Sequence, residues 1–212
     1  RAVKAEGQVT AAIQSDFPAG AFPANNGLAS QLKMVARLIR GRASLGVKRQ
    51  VFFVSMGGFD LHDSLIANQP GLMQRLSDAM AAFHRQMATL GLADQVTAFT
   101  ASDFGRTLSY NSDGSDHGWG GHHFVVGGAV KGRAIYGTPP PVSIGNTTAD
   151  ADQWHVGQGR LLPTTSVDQY AATLARWFGV PDSQLDGILP NLKNFGRTAN
   201  GIAYPRDVGF MG

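Results

Sequence analysis

The first half of the chain carries a strand–helix–strand pattern, and this constrains the fold more than any other feature. Val51-Phe52-Phe53-Val54-Ser55 is a short apolar run bounded by Gly57-Gly58. Continuous apolarity predicts a strand covered on both faces. From Pro70 the period changes. Leu72, Leu76, Met80, Phe83, Met87 and Leu90 step by three and four, and Gly91 ends the series. That spacing predicts an amphipathic helix. Val96-Thr97-Ala98-Phe99-Thr100 then reads as a second buried strand. Together they make a βαβ unit, which implies parallel strands and a right-handed crossover. The expected class is α/β, a parallel-rich sheet flanked by helices.

The remaining segments are read around that unit. Residues 1–24 are polar, contain Pro18 and Pro23, and read as a connector or the end of a missing N-terminal part. An abrupt start at Arg1, with no initiator Met or signal peptide, fits the second reading. Residues 25–195 form the domain. Leu28, Leu32, Val35, Leu38 and Ile39 predict a helix across 27–45, with basic residues on its other face. Residues 102–121 read as a long loop, His122 to Gly128 as a third strand, and 137–160 as an irregular excursion. Residues 166–178 read as a helix with Ser166 as N-cap and Gly179-Val180-Pro181 as the stop. Residues 196–212 are a Gly-rich tail.

Composition narrows the chemistry. A chain of 212 residues that is 43% hydrophobic and 16% charged buries a real core. It has no Cys, which excludes disulfides, thiolate zinc sites and Cys nucleophiles. A net charge of +3 leaves no nucleic-acid footprint, and the basic residues between Lys33 and Arg49 read as a solvated helix face. No apolar run is long enough for a membrane span. No Gly-x-Ser-x-Gly elbow occurs, which argues against a Ser hydrolase built on Ser55 or Ser102.

In parallel α/β sheets, ligands bind beyond the carboxyl ends of the strands. Asp60, His62 and Asp63 follow the first predicted strand. Asp103 and Arg106 follow the second, and Asp116, His117, His122 and His123 lie on or after the long loop. Loops after parallel strands converge, so these side chains are expected to gather. Mixed carboxylate and imidazole ligands suit a divalent metal such as Zn, Mn or Fe and, less well, Mg or Ca. Such an ion drives hydrolysis of phosphoryl or sulfuryl esters, and Arg106 adds a two-pronged grip on an oxyanion. Each residue also has a plainer role: Asp60 and His62 bonding a turn, Asp103 capping one, Trp119 pinning the loop. His122 and His123 are neighbours on a predicted strand, so at most one faces the site.

The stretches GGFDLH from Gly57, SDFGRT from Ser102, SDHGWGGHHFVVGGAVKG from Ser115 and GRLLPTTSVDQYAATLARWFGV from Gly159 resemble domain-of-unknown-function family 1501. The resemblance runs from about Val51 to about Phe195. It implies the alkaline-phosphatase and sulfatase-like superfamily, with this chain as the C-terminal portion of its domain. By that resemblance Asp60 and His62 bind one metal, Asp103 serves a second or the same metal, and Asp116 and His117 stand for the superfamily's Asp-His pair on a loop. A bacterial protein, twin-arginine export, a periplasmic or secreted location and a small anionic ester substrate are implied in the same way. The pattern departs from the superfamily in three places. One residue separates Asp60 from His62 where three are usual. Phe104 follows Asp103 where His or Asn is common. No segment corresponds to the superfamily's nucleophile, which would come from the missing N-terminal part. The alternative is a non-catalytic secreted binding or structural protein with a degenerate site.

Overall fold

The structure, a computed structural model, describes residues 2–14, 16–199 and 201–212, with side chains from Glu6 onward. The fold is mixed α/β, with helices and small sheets of two strands each. Two compact units divide it. The first holds residues 1–98 and 126–128, the second residues 99–125 and 129–212.

The first unit is built on helices α1 (Ala2–Gln14), α2 (Gly27–Arg40), α3 (Arg42–Leu45) and α4 (Leu65–Thr89). Asn26 caps α2 by accepting the Ala29 amide at 3.1 Å, and its own amide group donates to the Arg75 carbonyl of α4 at 2.8 Å. One side chain therefore starts one helix and ties it to another. The buried face of α2 is Leu28, Ala29, Leu32, Val35, Ala36 and Ile39, the face its periodicity predicts. The predicted α4 face holds too, with Leu72, Met80, Phe83 and Met87 buried. That helix begins at Leu65 rather than at Pro70, and Pro70 lies inside it. The turn before the proline is exposed, so the carbonyl that Pro70 has no N–H to reach is open to solvent rather than buried. Gly41 lets α1 dock at the α2–α3 junction, because a Cβ there would stand 2.3 Å from the Ala12 Cβ.

The basic helix face is partly paired within this unit. Lys33 Nζ lies 2.8 Å from Asp16, and the Arg40 guanidinium sits 4.5 Å over the Phe17 ring. The Lys33 hydrogen bond, followed by the Phe17 amide, holds the Asp16 carboxyl below its usual value.

The expected parallel sheet is absent among the described residues. Strand β1 (Thr97–Phe99) is the second predicted strand, and it pairs with β4 (Val125–Gly127). The first predicted strand, residues 51–55, joins no ladder. Its burial alternates: Phe52, Val54 and Met56 pack on the α2–α4 core, while Val51 and Phe53 are 78% and 93% exposed. Continuous apolarity implied cover on both faces, and this structure covers one. The expected third strand, from His122, is shortened to β4.

The second unit replaces the expected loop at 102–121 with an antiparallel hairpin, β2 (Gly105–Tyr110) and β3 (Ser115–Gly118). The turn is held by Asn111, whose side-chain oxygen accepts the Gly114 amide at 3.0 Å, while its backbone N–H donates to the Gly114 carbonyl. An Asn beginning a polar Ser-Asp-Gly turn is hairpin chemistry, hidden here by short, polar strands. Gly105 pairs with Gly118, and a Cβ on Gly105 would come within 1.7 Å of the Gly120 carbonyl oxygen. Only glycine allows that approach.

Helix α5 (Val167–Phe178) follows the sequence closely. Ser166 and Gln169 form a reciprocal capping box, and Gly179 ends the helix at φ 98°. Helix α6 (Asp182–Ile188) packs beside it around Ala172, Leu185 and Leu192. The tail holds an antiparallel pair, β5 (Arg197–Ala199) and β6 (Ile202–Tyr204). Replacing Ser166 by Ala is expected to cost about 1 kcal/mol of stability, measured by urea denaturation. An unchanged midpoint would show that the cap is energetically idle.

Candidate functional site

The candidate residues are divided between the units. Asp60 and His62 lie in the first unit, and Asp103, Arg106, Asp116, His117, His122 and His123 lie in the second.

In the first unit the chain leaves the apolar run at Met56, passes Gly57 and Gly58, and tightens. The Leu61 amide donates to the Phe59 carbonyl at 2.9 Å, and the His62 amide to the Asp60 carbonyl at 3.3 Å. This tightening brings the two side chains together with one residue between them. Asp60 Oδ1 stands 3.0 Å from His62 Nε2, and both side chains are about half exposed. An ion bound tetrahedrally at about 2.0–2.1 Å from an oxygen and a nitrogen sets those atoms about 3.3 Å apart. The pair is thus already near the separation that a shared ion requires, and it is open to solvent.

In the second unit, Asp103 is exposed on the bend before β2. The expected turn cap is made by its neighbour: the Ser102 hydroxyl donates to the Phe104 carbonyl at 2.9 Å and accepts the Phe104 amide at 3.4 Å. Arg106 reaches across the hairpin. Its Nε donates to the Ser115 hydroxyl at 2.9 Å, a terminal nitrogen donates to the Ser115 carbonyl, and the guanidinium lies 5.9 Å from the centre of the Phe104 ring. In this arrangement the fork grips the protein's own backbone.

Asp116 and His117 sit on strand β3, not on a loop. Adjacent strand residues point to opposite faces. Asp116 accepts from the Asn111 side chain at 3.0 Å. The His117 ring stacks on Phe104, with centroids 4.2 Å apart and planes 5° from parallel. The hairpin therefore fixes both side chains but turns them away from one another.

His122 and His123 are both exposed, but one side of the His123 ring is held by neighbouring groups. The Phe124 amide donates to the Thr100 hydroxyl at 2.9 Å, and that hydroxyl lies 3.3 Å from His123 Nδ1. The ring stacks 5.8 Å from Tyr170, whose hydroxyl donates to the Thr100 carbonyl at 3.2 Å. Desolvation, then the charge of His122, lowers the His123 pKa. Burial pushes the Tyr170 phenol up to about 12. His123 is among the candidates that the sequence offers, whereas Thr100 and Tyr170, which hold it, are not. Thr100 ended a predicted strand and Tyr170 lay in a predicted helix, so nothing in pattern or spacing distinguished them.

Loop 143–160 is ordered by its own polar groups. Asp152 accepts from the Ser143 hydroxyl and from both the amide and hydroxyl of Thr147. The hydroxyl bond of Ser143 is the largest cause of its lowered pKa. His155 bridges the loop, with Nδ1 2.9 Å from the Gly145 carbonyl and Nε2 accepting the Gly159 amide at 2.8 Å. Both ring nitrogens are therefore used in holding the backbone.

Residues 5–189 match the family described as protein of unknown function (DUF1501), and the chain belongs to that family. No curated protein and no solved structure matches the chain.

The lowered pKa of His123 has a defined sign. Its folded value lies below the unfolded value, so its contribution to stability is present above ordinary imidazole titration and is lost as pH falls through the folded value. NMR titration is expected to place the His123 midpoint below 6.5, and Tyr170→Ala to move it back upward by opening the ring to water. A wild-type midpoint at or above the ordinary value would contradict the burial argument.

Proposed function

We propose that this chain is part of a metal-dependent hydrolase of phosphate or sulfate esters, with Asp60 and His62 as ligands to a divalent ion. The observation that carries the reading is the 3.0 Å separation of Asp60 Oδ1 and His62 Nε2 on an exposed turn. Carboxylate and neutral imidazole together favour a transition metal such as Zn, Mn or Fe over Mg or Ca. When bound, such an ion polarises an ester oxygen and acidifies water. His62 then binds through Nε2 and carries its proton on Nδ1. The resemblance to alkaline-phosphatase and sulfatase-like proteins supports the same chemistry. It gives Asp103, Asp116 and His117 metal-binding roles as well, and the residue types add one of His122 and His123 as a ligand and Arg106 as a group that steadies ester oxygens. Of the two histidines, His122 is the better candidate, because His123 is committed to Thr100 and Tyr170. On this reading the nucleophile comes from another part of the protein, and the protein is exported to the periplasm or secreted.

A second reading, a non-catalytic binding protein, is favoured by one observation. The Arg106 fork is spent on Ser115 rather than held open for an anion.

Calorimetry with Zn and Mn salts tests the first reading. The wild-type chain is expected to bind one equivalent, and Asp60→Asn or His62→Ala to weaken binding by about 10–100-fold. His117→Ala tests the further ligand that the resemblance implies. A folded wild-type chain that takes up no metal would remove the proposal. Metal binding by the whole protein without turnover of aryl phosphate or aryl sulfate esters would favour the second reading.

A further inference from the structure

A cleft of about 230 Å³ opens beside the start of α5, within the second unit. Three pieces of chain wall it: residues 137–138, the approach to α5 and its first turn at 164–169, and β6 with the segment after it. Two bonds hold these walls in place. The Thr164 hydroxyl donates to the Thr138 carbonyl, and the buried Gln169 amide group donates to the Pro205 carbonyl. Gln169 is itself fixed, because its oxygen accepts the Ser166 amide at 2.8 Å. The cleft is therefore formed before any ligand arrives, as small-molecule sites usually are.

Its lining is polar but uncharged. Thr138 and Thr165 line it, and among the described residues neither hydroxyl has a protein partner or is sealed from solvent. Gly137 keeps the Thr165 hydroxyl within reach. It adopts φ 87°, and a Cβ there would stand 2.8 Å from the Thr165 hydroxyl oxygen. Ile202, Ala203 and Val208 supply aliphatic surface. Among the described residues, no ionisable side chain lines the cleft. The charged residues next along the chain, Arg206 and Asp207, are paired with Asp186 and Arg176.

A threonine hydroxyl donates and accepts at once, so it matches a ligand hydroxyl, which does the same. A charged ligand would give up water here and meet no opposite charge. Aliphatic side chains beside hydroxyls fit a molecule that carries C–H and O–H groups side by side. The volume lies just below the roughly 300–1,000 Å³ of drug-sized sites, which sets the scale at one small ring. We infer that this cleft binds a single neutral monosaccharide, with the Thr138 and Thr165 hydroxyls bonding its hydroxyls and Ile202 and Val208 against its C–H groups. The inference shares no residue with the proposed metal ligands, so either can fail without the other.

Amide NMR spectra of the chain, titrated with glucose, galactose or mannose up to about 50 mM, are the test. At least one sugar is expected to shift the amides of Gly137, Thr138, Thr165 and Ala203 along a saturating curve, with a millimolar Kd. The uronic acid of that sugar is expected to bind at least about tenfold more weakly. Thr165→Val removes a hydroxyl and keeps the side chain's outline, and is expected to weaken binding about fivefold. Ala203→Phe, at an exposed position on β6, fills the cleft and is expected to abolish the shifts. Amide spectra of both variants show whether the fold away from the cleft is unchanged. Absence of a saturating shift at these amides with every one of the sugars overturns the inference. So does binding that neither variant weakens, or a uronic acid that binds as tightly as its neutral counterpart.

Discussion

Two helices that approach closely support everything in the first unit. Ala29 and Ala36 on α2, and Ala79 and Ala82 on α4, have no measurable exposure. Small side chains at a crossing let helix axes come near one another, and larger neighbours such as Leu32, Phe83 and Met87 fill the space beside them. The tie from Asn26 to the Arg75 carbonyl holds the helices in register. On the platform they make lie Phe52, Val54, Met56, Val96 and Ala98. The turn bearing Asp60 and His62 follows directly from that platform.

The second unit uses different means. Its apolar cluster around Ala172, Leu185 and Leu192 is small, and much of its order is polar. Thr100 joins Phe124, His123 and Tyr170. Arg106 clamps Ser115, and Asp152 with His155 organises the loop from 143 to 160. Networks of this kind fix unique geometry because every broken member leaves a polar group unsatisfied. They also occupy side chains that a reading by residue type assigns to catalysis. Arg106 is the clearest case.

Elements whose signals are local were legible in the sequence. Helix α5 announced its start with Ser166 and Gln169 and its end with Gly179, and helices α2 and α4 announced their buried faces by period. What depended on partners was not legible. An apolar run such as 51–55 reports that a strand wants cover, but not whether the chain supplies it. The β2–β3 hairpin reads as a loop in the sequence because its strands are short and polar, although Asn111 and Gly114 carry a turn signal. At the site, Asp60 and His62 were expected to gather because both follow a predicted strand, although their one-residue spacing departs from the superfamily's pattern. The stacking of His117 on Phe104 and the capture of His123 by Thr100 come from tertiary contacts that no motif encodes.

Gln169 joins these themes in one residue. It is almost fully buried, its oxygen accepts the Ser166 amide at 2.8 Å, and its nitrogen donates to the Pro205 carbonyl. Glutamate has the same shape and would keep the first bond. Deamidation, which turns one into the other, would place a carboxylate oxygen against a carbonyl oxygen and a charge where water does not reach. A change of a single atom group, with no loss of volume, would thus push the Pro205 segment away from the start of α5. Here the consequence of such a chemical change would fall inside the fold, at a helix start.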